Sequence, residues 1–251
     1  MGDLELNPRL TSPLREAISR SGLPHLWSSA APLSGGRGSA RLLELDGSPF
    51  VVKQERRGGR VAAAVPDRFL FKGPFLREWR LGLHLAERHL APEPVAMQTE
   101  GPPCLFRVFN MTRAILPGRS LSELWMEGGL DGASLEHVGE AVASLHRAGV
   151  IHGDLNAGNL LFGPGPIPLL LDLRHSRWTI SEPSPAERLH NLLRLCRSLH
   201  KLRTLHRLEW PKEPWAALLS GYWRGWGCEE SWSSKFLATA ERGFPLRSLF
   251  W

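Results

Sequence analysis

The chain has 251 residues, 42% apolar and 22% charged, which suffices for a buried core and excludes disorder throughout. Lysine and arginine exceed aspartate and glutamate by 31 to 25, giving a net charge of +6 and a pI near 9.8. That balance favours an anionic partner: nucleic acid, anionic lipid or a phosphorylated glycan. No apolar run reaches the ~18 residues of a membrane span, and the first thirty residues lack the basic start and apolar centre of a signal peptide, so a cytoplasmic location is expected.

Residues 1–33 read as an N-terminal extension with one amphipathic helix, Leu14 to Ile18, between turn-rich flanks. Gly35-Gly36-Arg37-Gly38 then precedes a strand at Ala40–Leu45, a turn at Asp46-Gly47-Ser48 and a second strand at Phe50–Lys53. This is a hairpin with a glycine-rich loop ahead of it. From Phe75, the spacing of Leu76, Trp79, Leu83, Ala86 and Leu90 predicts a helix that Pro92 and Pro94 end. Residues 104–116 read as two short strands, and a linker falls near 110–120.

In the second half a helix starts at Leu121, and Leu135, Val138, Val142 and Leu145 mark another that stops near Gly149. Val150-Ile151 and Leu160–Phe162 are small strands around a loop, and Leu169–Leu171 is a buried strand. Ser184-Pro185-Ala186-Glu187 is a capping box with proline at the first helical position, opening a helix with Leu189, Leu192, Leu193, Cys196, Leu199 and Leu202 on one face. The remainder is helical and rich in tryptophan. The expected fold class is α+β and bilobal: a β-rich lobe over 34–113 with one helix, then a mostly helical lobe over 114–251, with nucleotide between the lobes.

The loop carries the chemistry. His152-Gly153-Asp154-Leu155-Asn156-Ala157-Gly158-Asn159 is followed thirteen residues later by Asp172, at the end of an apolar run. The spacing matches the protein-kinase pattern H-R-D-x-x-x-x-N followed by D-F-G, with Gly153 in place of the arginine and Leu173-Arg174 in place of Phe-Gly. Phosphoryl transfer needs positioning and charge neutralisation rather than covalent work. Asp154 would accept or orient the proton of an attacking hydroxyl, and Asn159 and Asp172 would hold magnesium on the nucleotide. His152 reads as structural, kept neutral by burial. Asn156 would orient Asp154, contact substrate or stabilise the loop.

Lys53 ends a strand after a glycine-containing hairpin, where its point charge could reach the α- and β-phosphates of ATP. Glu78 is its candidate acidic partner and Glu87 the fallback. Gly36 and Gly38 are nucleotide-loop candidates by position alone, since glycine lets backbone approach phosphate. The three cysteines, Cys104, Cys196 and Cys228, have no metal-ligand spacing and read as buried free thiols.

At these residues the chain resembles the lipopolysaccharide core kinases, most closely the 3-deoxy-D-manno-octulosonic acid (Kdo) kinases. The likeness covers roughly residues 33–205. It lies in Gly35–Gly38, Val51-Val52-Lys53 with Arg56-Arg57-Gly58-Gly59, Asp67-Arg68-Phe69-Leu70-Phe71, Arg77-Glu78-Trp79-Arg80, the His152–Asn159 string and the Asp172 strand. The resemblance implies a protein-kinase-like fold and ATP- and Mg2+-dependent phosphorylation of a sugar hydroxyl on Kdo-lipid A, at the inner face of the inner membrane. It implies Asp154 as base, Asn159 and Asp172 as metal ligands and Lys53 as the nucleotide lysine. Gly158 and Arg174 depart from the residues expected there and bear on the acceptor sugar.

Arg56, Arg57, Arg60, Arg68 and Lys72 suit an anionic headgroup layer, and a solvated loop is the plainer reading. Trp210, Trp215, Trp223, Trp226, Trp232 and Trp251 read as packing residues, with membrane-interface anchoring as the alternative. The basic residues from Arg188 to Arg207 read as a solvated helix face. A heptose, aminoglycoside- or choline-type, or atypical protein kinase would keep the fold and change the acceptor, and a pseudokinase scaffold would lose the chemistry. Few clustered acids argue against a cationic acceptor, and no interleaving of aromatic and basic residues points to nucleic acid.

Overall fold

The computed structural model describes residues 2–33, 39–57, 67–179 and 181–244, and Gly36, Gly38 and Arg60 lie outside them. Mixed helices and antiparallel strands divide into two compact units, Met1–Glu87 with Pro92–Ala114, and Arg88–Ala91 with Ile115–Trp251.

The first unit is built on a six-stranded antiparallel sheet in the order β1-β5-β6-β4-β3-β2. Its strands are β1 Leu4–Leu6, β2 Ala31–Pro32, β3 Ala40–Leu45, β4 Ser48–Gln54, β5 Pro94–Glu100 and β6 Arg107–Arg113. The β3–β4 hairpin forms as its sequence predicts: Asp46 (φ 51°) and Gly47 (φ 68°) both take the left-handed conformation that a two-residue hairpin turn matching strand twist requires. Two short strands over 104–116 are not observed. One strand, β6, spans Arg107–Arg113, and its neighbour β5 is a strand that the Pro92/Pro94 breakers concealed.

The sheet is covered on both faces. One face buries Phe50, Val52, Ala96, Phe109 and Met111 against Leu14 and Ile18 of α1 (Ser12–Ser21) and Leu23 and Leu26 of α2 (Leu23–Ser29). Residues 1–33 are therefore not an appendage. They supply an edge strand, with Leu4 opposite Gln98, and half of a core. Full burial of side chains such as Ile18 and Leu23 stabilises by roughly 1.5–3 kcal/mol each. The other face packs Met97, Phe106 and Val108 against Phe75, Leu76 and Trp79 of α3 (Gly73–Ala86).

The second unit is mostly helical: α4 Leu121–Met126, α5 Gly132–Arg147, α6 Pro185–His206, α7 Pro214–Trp226 and α8 Ser233–Arg242. Helices α5 and α7 meet backbone to backbone. A Cβ on Gly139 would lie 2.1 Å from the Leu218 carbonyl oxygen, and one on Gly221 would lie 1.9 Å from that of Glu136, so only glycine fits at this crossing. Helix α6 begins where its capping box places it, with Ser184 accepting from the Glu187 amide and Glu187 accepting from the Ser184 amide. The strands β7 Arg119–Ser120, β9 Leu160–Phe162 and β10 Leu169–Leu170 form one small sheet, and β8 Val150–Ile151 pairs with β11 Arg177–Trp178.

Trp215 and Trp232 are buried, and the rings of Trp210, Trp215, Trp223, Trp226 and Trp232 pack on one another, on His200 or on Tyr222. That is the packing reading of the tryptophans; Trp251 lies outside the described residues. Only Cys196 of the three thiols is buried, whereas Cys104 and Cys228 are exposed. No helix among the described residues is long and apolar enough to cross a membrane.

Candidate active site

The loop between β8 and β9 is held from below by apolar anchors and from the side by α6. Leu155, Leu160 and Leu170 are fully buried and Ala157 nearly so, which fixes the loop to the helical unit. His152 is buried. Its Nδ1 accepts from the Asp154 amide at 3.0 Å, so Nε2 carries the proton and donates to the Leu171 carbonyl at 2.8 Å. Burial holds its pKa below the ordinary value, and the ring is the neutral strut expected of it.

Three polar side chains of α6 grip the same loop. The Asn191 side-chain amide donates to the His152 carbonyl at 2.8 Å and accepts from the His152 amide at 3.2 Å. Arg194 Nη2 donates to Asp154 Oδ1 at 2.8 Å, and Ser198 Oγ accepts from the Ala157 amide at 3.1 Å. Positions i, i+3 and i+7 share one helix stripe. Asn191 also accepts from His146 Nε2 at 3.1 Å, while His146 Nδ1 accepts from the Tyr222 hydroxyl at 3.0 Å. Asn191 thus joins α5, α6 and α7 to the loop.

Asp154 is presented with both carboxylate oxygens engaged and the side chain still 46% exposed. Asn156 Nδ2 donates to Asp154 Oδ2 at 3.1 Å, and Asn156 Oδ1 accepts from the Gly158 amide at 2.9 Å. Of the open readings of Asn156, orientation of the carboxylate and stabilisation of the loop both hold. Each carboxylate oxygen has a second acceptor position, so the carboxylate can still take the hydrogen of an incoming hydroxyl.

Asn159 and Asp172 are knitted to this centre. Asn159 Nδ2 donates to the Asp154 carbonyl at 2.8 Å, which commits the amide nitrogen and leaves the amide oxygen for a further partner. The Leu171 amide donates to the Asn159 carbonyl at 2.9 Å, setting Asp172 immediately after that bond. Asp172 has φ 54°, and its Oδ1 is buried without a hydrogen-bond partner among the described residues. A buried carboxylate oxygen left unpaired is destabilising unless a cation completes it. One amide oxygen and one carboxylate fit magnesium, which keeps most of its coordination for water and nucleotide phosphates. The described residues hold no cluster of three or more histidine, cysteine or acidic side chains, so a protein-only metal cage is absent among them.

In the first unit, Lys53 lies on β4 opposite Asn110 of β6. Strand alternation turns Lys53 away from buried Phe50 and Val52, toward the face that Val108 and α3 share. Glu78 is on α3, half-buried. An acidic group against the lysine that sequence reasoning missed is Glu55: Lys53 Nζ lies 3.2 Å from Glu55 Oε1, and Asn110 Nδ2 donates to that oxygen at 3.0 Å. Glu55 is buried beside a strand-end lysine, a signal two residues away in sequence. The fallback, Glu87, pairs with Arg9 at 2.7 Å.

A model of the lipopolysaccharide kinase (Kdo/WaaP) family matches residues 36–222. The chain belongs to that family. It is 34% identical over 220 residues to a 3-deoxy-D-manno-octulosonic acid kinase of Stenotrophomonas maltophilia (strain K279a), covering 85% of this chain and 87% of that protein. It is 35% identical over 221 residues to a protein of the same name from Xanthomonas axonopodis pv. citri (strain 306), covering 85% and 88%. A Xanthomonas oryzae pv. oryzae (strain PXO99A) protein so named is 34% identical over 221 residues.

In this lipopolysaccharide kinase the glycine that replaces the H-R-D arginine has a steric cause. A Cβ on Gly153 would lie 2.0 Å from the His175 carbonyl oxygen, because the turn after Asp172 crosses directly over the loop. Gly158 meets no such wall: a Cβ there would find Asn156 Oδ1 at 3.2 Å and Ser122 Oγ at 3.9 Å. The basic face of α6 is not simply solvated. Arg188 is buried, pairs with Glu230 at 2.6 Å and stacks 4.2 Å over the Trp226 ring, while Arg194 reaches Asp154.

Proposed function

We propose that this kinase transfers the terminal phosphate of ATP to a hydroxyl of 3-deoxy-D-manno-octulosonic acid in the lipopolysaccharide inner core. The observation that carries the reading is Asp154, held at both oxygens by Asn156 and Arg194 yet open to an incoming hydroxyl, in one hydrogen-bonded loop with Asn159 and Asp172. The names of the relatives supply the acceptor.

Asp154 would orient the acceptor hydroxyl and take its proton as the phosphoryl group arrives. Lys53 would neutralise the nucleotide's inner phosphates, with Glu55 fixing its ammonium and Glu78 its further acidic partner. Asn159 and Asp172 would hold Mg2+, which when bound offsets negative charge on the outer phosphates. Gly36 and Gly38, which lie outside the described residues, stay nucleotide-binding candidates by their place in the sequence.

Contact with an anionic membrane surface belongs to the same proposal. Phe71 is 75% exposed, Leu70 49% and Leu105 41%, and the last two flank the Phe69–Phe106 bridge. Arg56, Arg57, Arg68 and Lys72 lie in the same stretch. Exposed apolar tips among basic residues suit a headgroup layer.

The test offers labelled ATP with Kdo-lipid A, heptosylated core, an aminoglycoside and casein side by side. Label is expected on Kdo-lipid A, and label on casein alone would reject the acceptor. Flotation with anionic vesicles should be weakened by Phe71→Glu; unchanged flotation would remove the membrane contact.

A further inference from the structure

Arg194 sits where a charge on the acceptor can be read. It projects from the middle of α6, its Nη2 bonds Asp154 Oδ1 at 2.8 Å, and its side chain remains 42% exposed. A guanidinium carries five N–H donors in a rigid fork, so one bond to Asp154 leaves donors for a second anion. The neighbours make this placement firm rather than incidental. Asn191 and Ser198, on the same stripe of α6, are bonded to the backbone of His152 and Ala157, so the base of the arginine and the loop bearing Asp154 move as one piece. Leu192 and Leu195 on either side are fully buried and hold that helix turn in place.

A surface ion pair of two half-exposed side chains adds little stability. An arginine kept against the catalytic carboxylate therefore calls for an explanation in recognition. An octulosonic acid carries a carboxylate, which a neutral heptose lacks. We infer that Arg194 binds the carboxylate of the acceptor sugar acid and, through its bond to Asp154, sets that sugar's hydroxyl beside the base. The inference rests on the acceptor proposed above. Arginine suits the task because its fork grips a carboxylate bidentately and fixes orientation as well as charge. One guanidinium spanning substrate carboxylate and base links recognition of the acid to alignment of the hydroxyl.

The experiment compares a Kdo-bearing acceptor with its methyl ester, in which the carboxylate is neutral, using wild type, Arg194→Gln and Arg194→Lys. Wild type should favour the acid in kcat/KM by roughly ten- to a hundredfold, the range of a hydrogen bond to a charged group. Arg194→Gln should use the acid no better than the ester, so that the ratio falls to near one. Arg194→Lys, which retains charge without the fork, should keep a reduced preference, and it carries the comparison if thermal melting shows the glutamine variant misfolded. Loss of rate on both acceptors with the ratio unchanged would overturn the inference and leave Arg194 a structural support for Asp154. Equal use of acid and ester by wild type would also overturn it, with the proposed acceptor intact. Phosphorylation of a neutral heptose in place of either would overturn both.

Discussion

Asn191 clasps the backbone of His152 from both sides: its side-chain nitrogen donates to the His152 carbonyl at 2.8 Å while its oxygen accepts from the His152 amide at 3.2 Å. The same oxygen accepts a hydrogen bond from His146 Nε2–H, and all three residues are buried. One helix residue therefore satisfies two backbone groups of the loop that bears Asp154 and one ring of a neighbouring helix. Asn191→Leu, close in volume, would strand three buried polar groups at once. Each such group costs about 1–3 kcal/mol. Urea unfolding should show at least about 2 kcal/mol of lost stability, with turnover falling as His152 loses its anchor. Unchanged stability would mean that the clasp is not formed in solution.

His146 makes that clasp sensitive to acid. Burial lowers its pKa from an ordinary 6.5 to about 4, and the nearby Arg188 acts in the same direction. Between those values the unfolded chain binds the proton more readily than the folded one. The stabilisation is thus complete above about pH 6.5 and is lost as pH falls toward 4. Going from about pH 7 to about pH 5 should remove roughly 2 kcal/mol through this residue. His152 and His200 shift the same way, so the test is subtraction: His146→Gln should start less stable and fall less steeply with acid than wild type. Parallel curves would show that His146 titrates normally.

Gly153 is legible as a departure from the kinase pattern but not as a cause, since nothing local in the sequence says that His175 lies over it. A Cβ on Gly153 would have to occupy the space of the His175 backbone. Gly153→Ala should displace the loop or the turn and lose at least tenfold in turnover, with stability lowered by about 1–3 kcal/mol for overpacking. Gly165→Ala is the control: a Cβ there has no atom within 4 Å, and melting temperature and turnover should stay near wild type. Equal behaviour of the two variants would refute the steric account.

The contrast generalises. The β3–β4 hairpin, the capping box of α6, the small strands around the loop and the order of Asp154, Asn159 and Asp172 were readable because each rests on short-range rules: a turn pair, a cap, an apolar bracket. Arg194, Asn191 and Ser198 were not. Their partners lie tens of residues away, and in sequence they look like ordinary polar surface, whereas Glu55 was passed over although Lys53 stands two residues before it. Polar residues at i, i+3 and i+7 beside the leucine stripe of α6 were the available signal. Strand β5 was hidden for a related reason: proline at its first residue is tolerated there, yet reads as a breaker.

The N-terminal segment gives a third case of long-range pairing. Leu14, Ile18, Leu23 and Leu26 close the core over Phe50, Val52, Phe109 and Met111, and Leu4–Leu6 pairs with β5. Removing residues 1–33 would expose that face and free an edge strand. A chain starting at residue 34 should be insoluble or lose cooperative unfolding of the first unit, whereas a dispensable extension would leave the melting curve unchanged.

Asp154 and Asp172 should separate when mutated, because the Asp154 side chain is 46% exposed whereas Asp172 has one carboxylate oxygen, Oδ1, buried without a hydrogen-bond partner among the described residues. Asp154→Ala should lower turnover by roughly 10²–10⁴-fold, the usual contribution of a positioned base, while nucleotide binding persists. Asp172 holds φ 54°, a conformation that asparagine tolerates and alanine resists, so Asp172→Asn is the informative change. Removing a charge whose buried Oδ1 lacks a partner among the described residues should leave the magnesium-free protein as stable as wild type or more so. The same change should abolish the added thermal stability that ATP confers only when magnesium is present, since ligand that binds the folded state raises the melting temperature. A strongly destabilised Asp172→Asn that still responds to magnesium and ATP would show that Asp172 serves the fold and that the metal sits elsewhere.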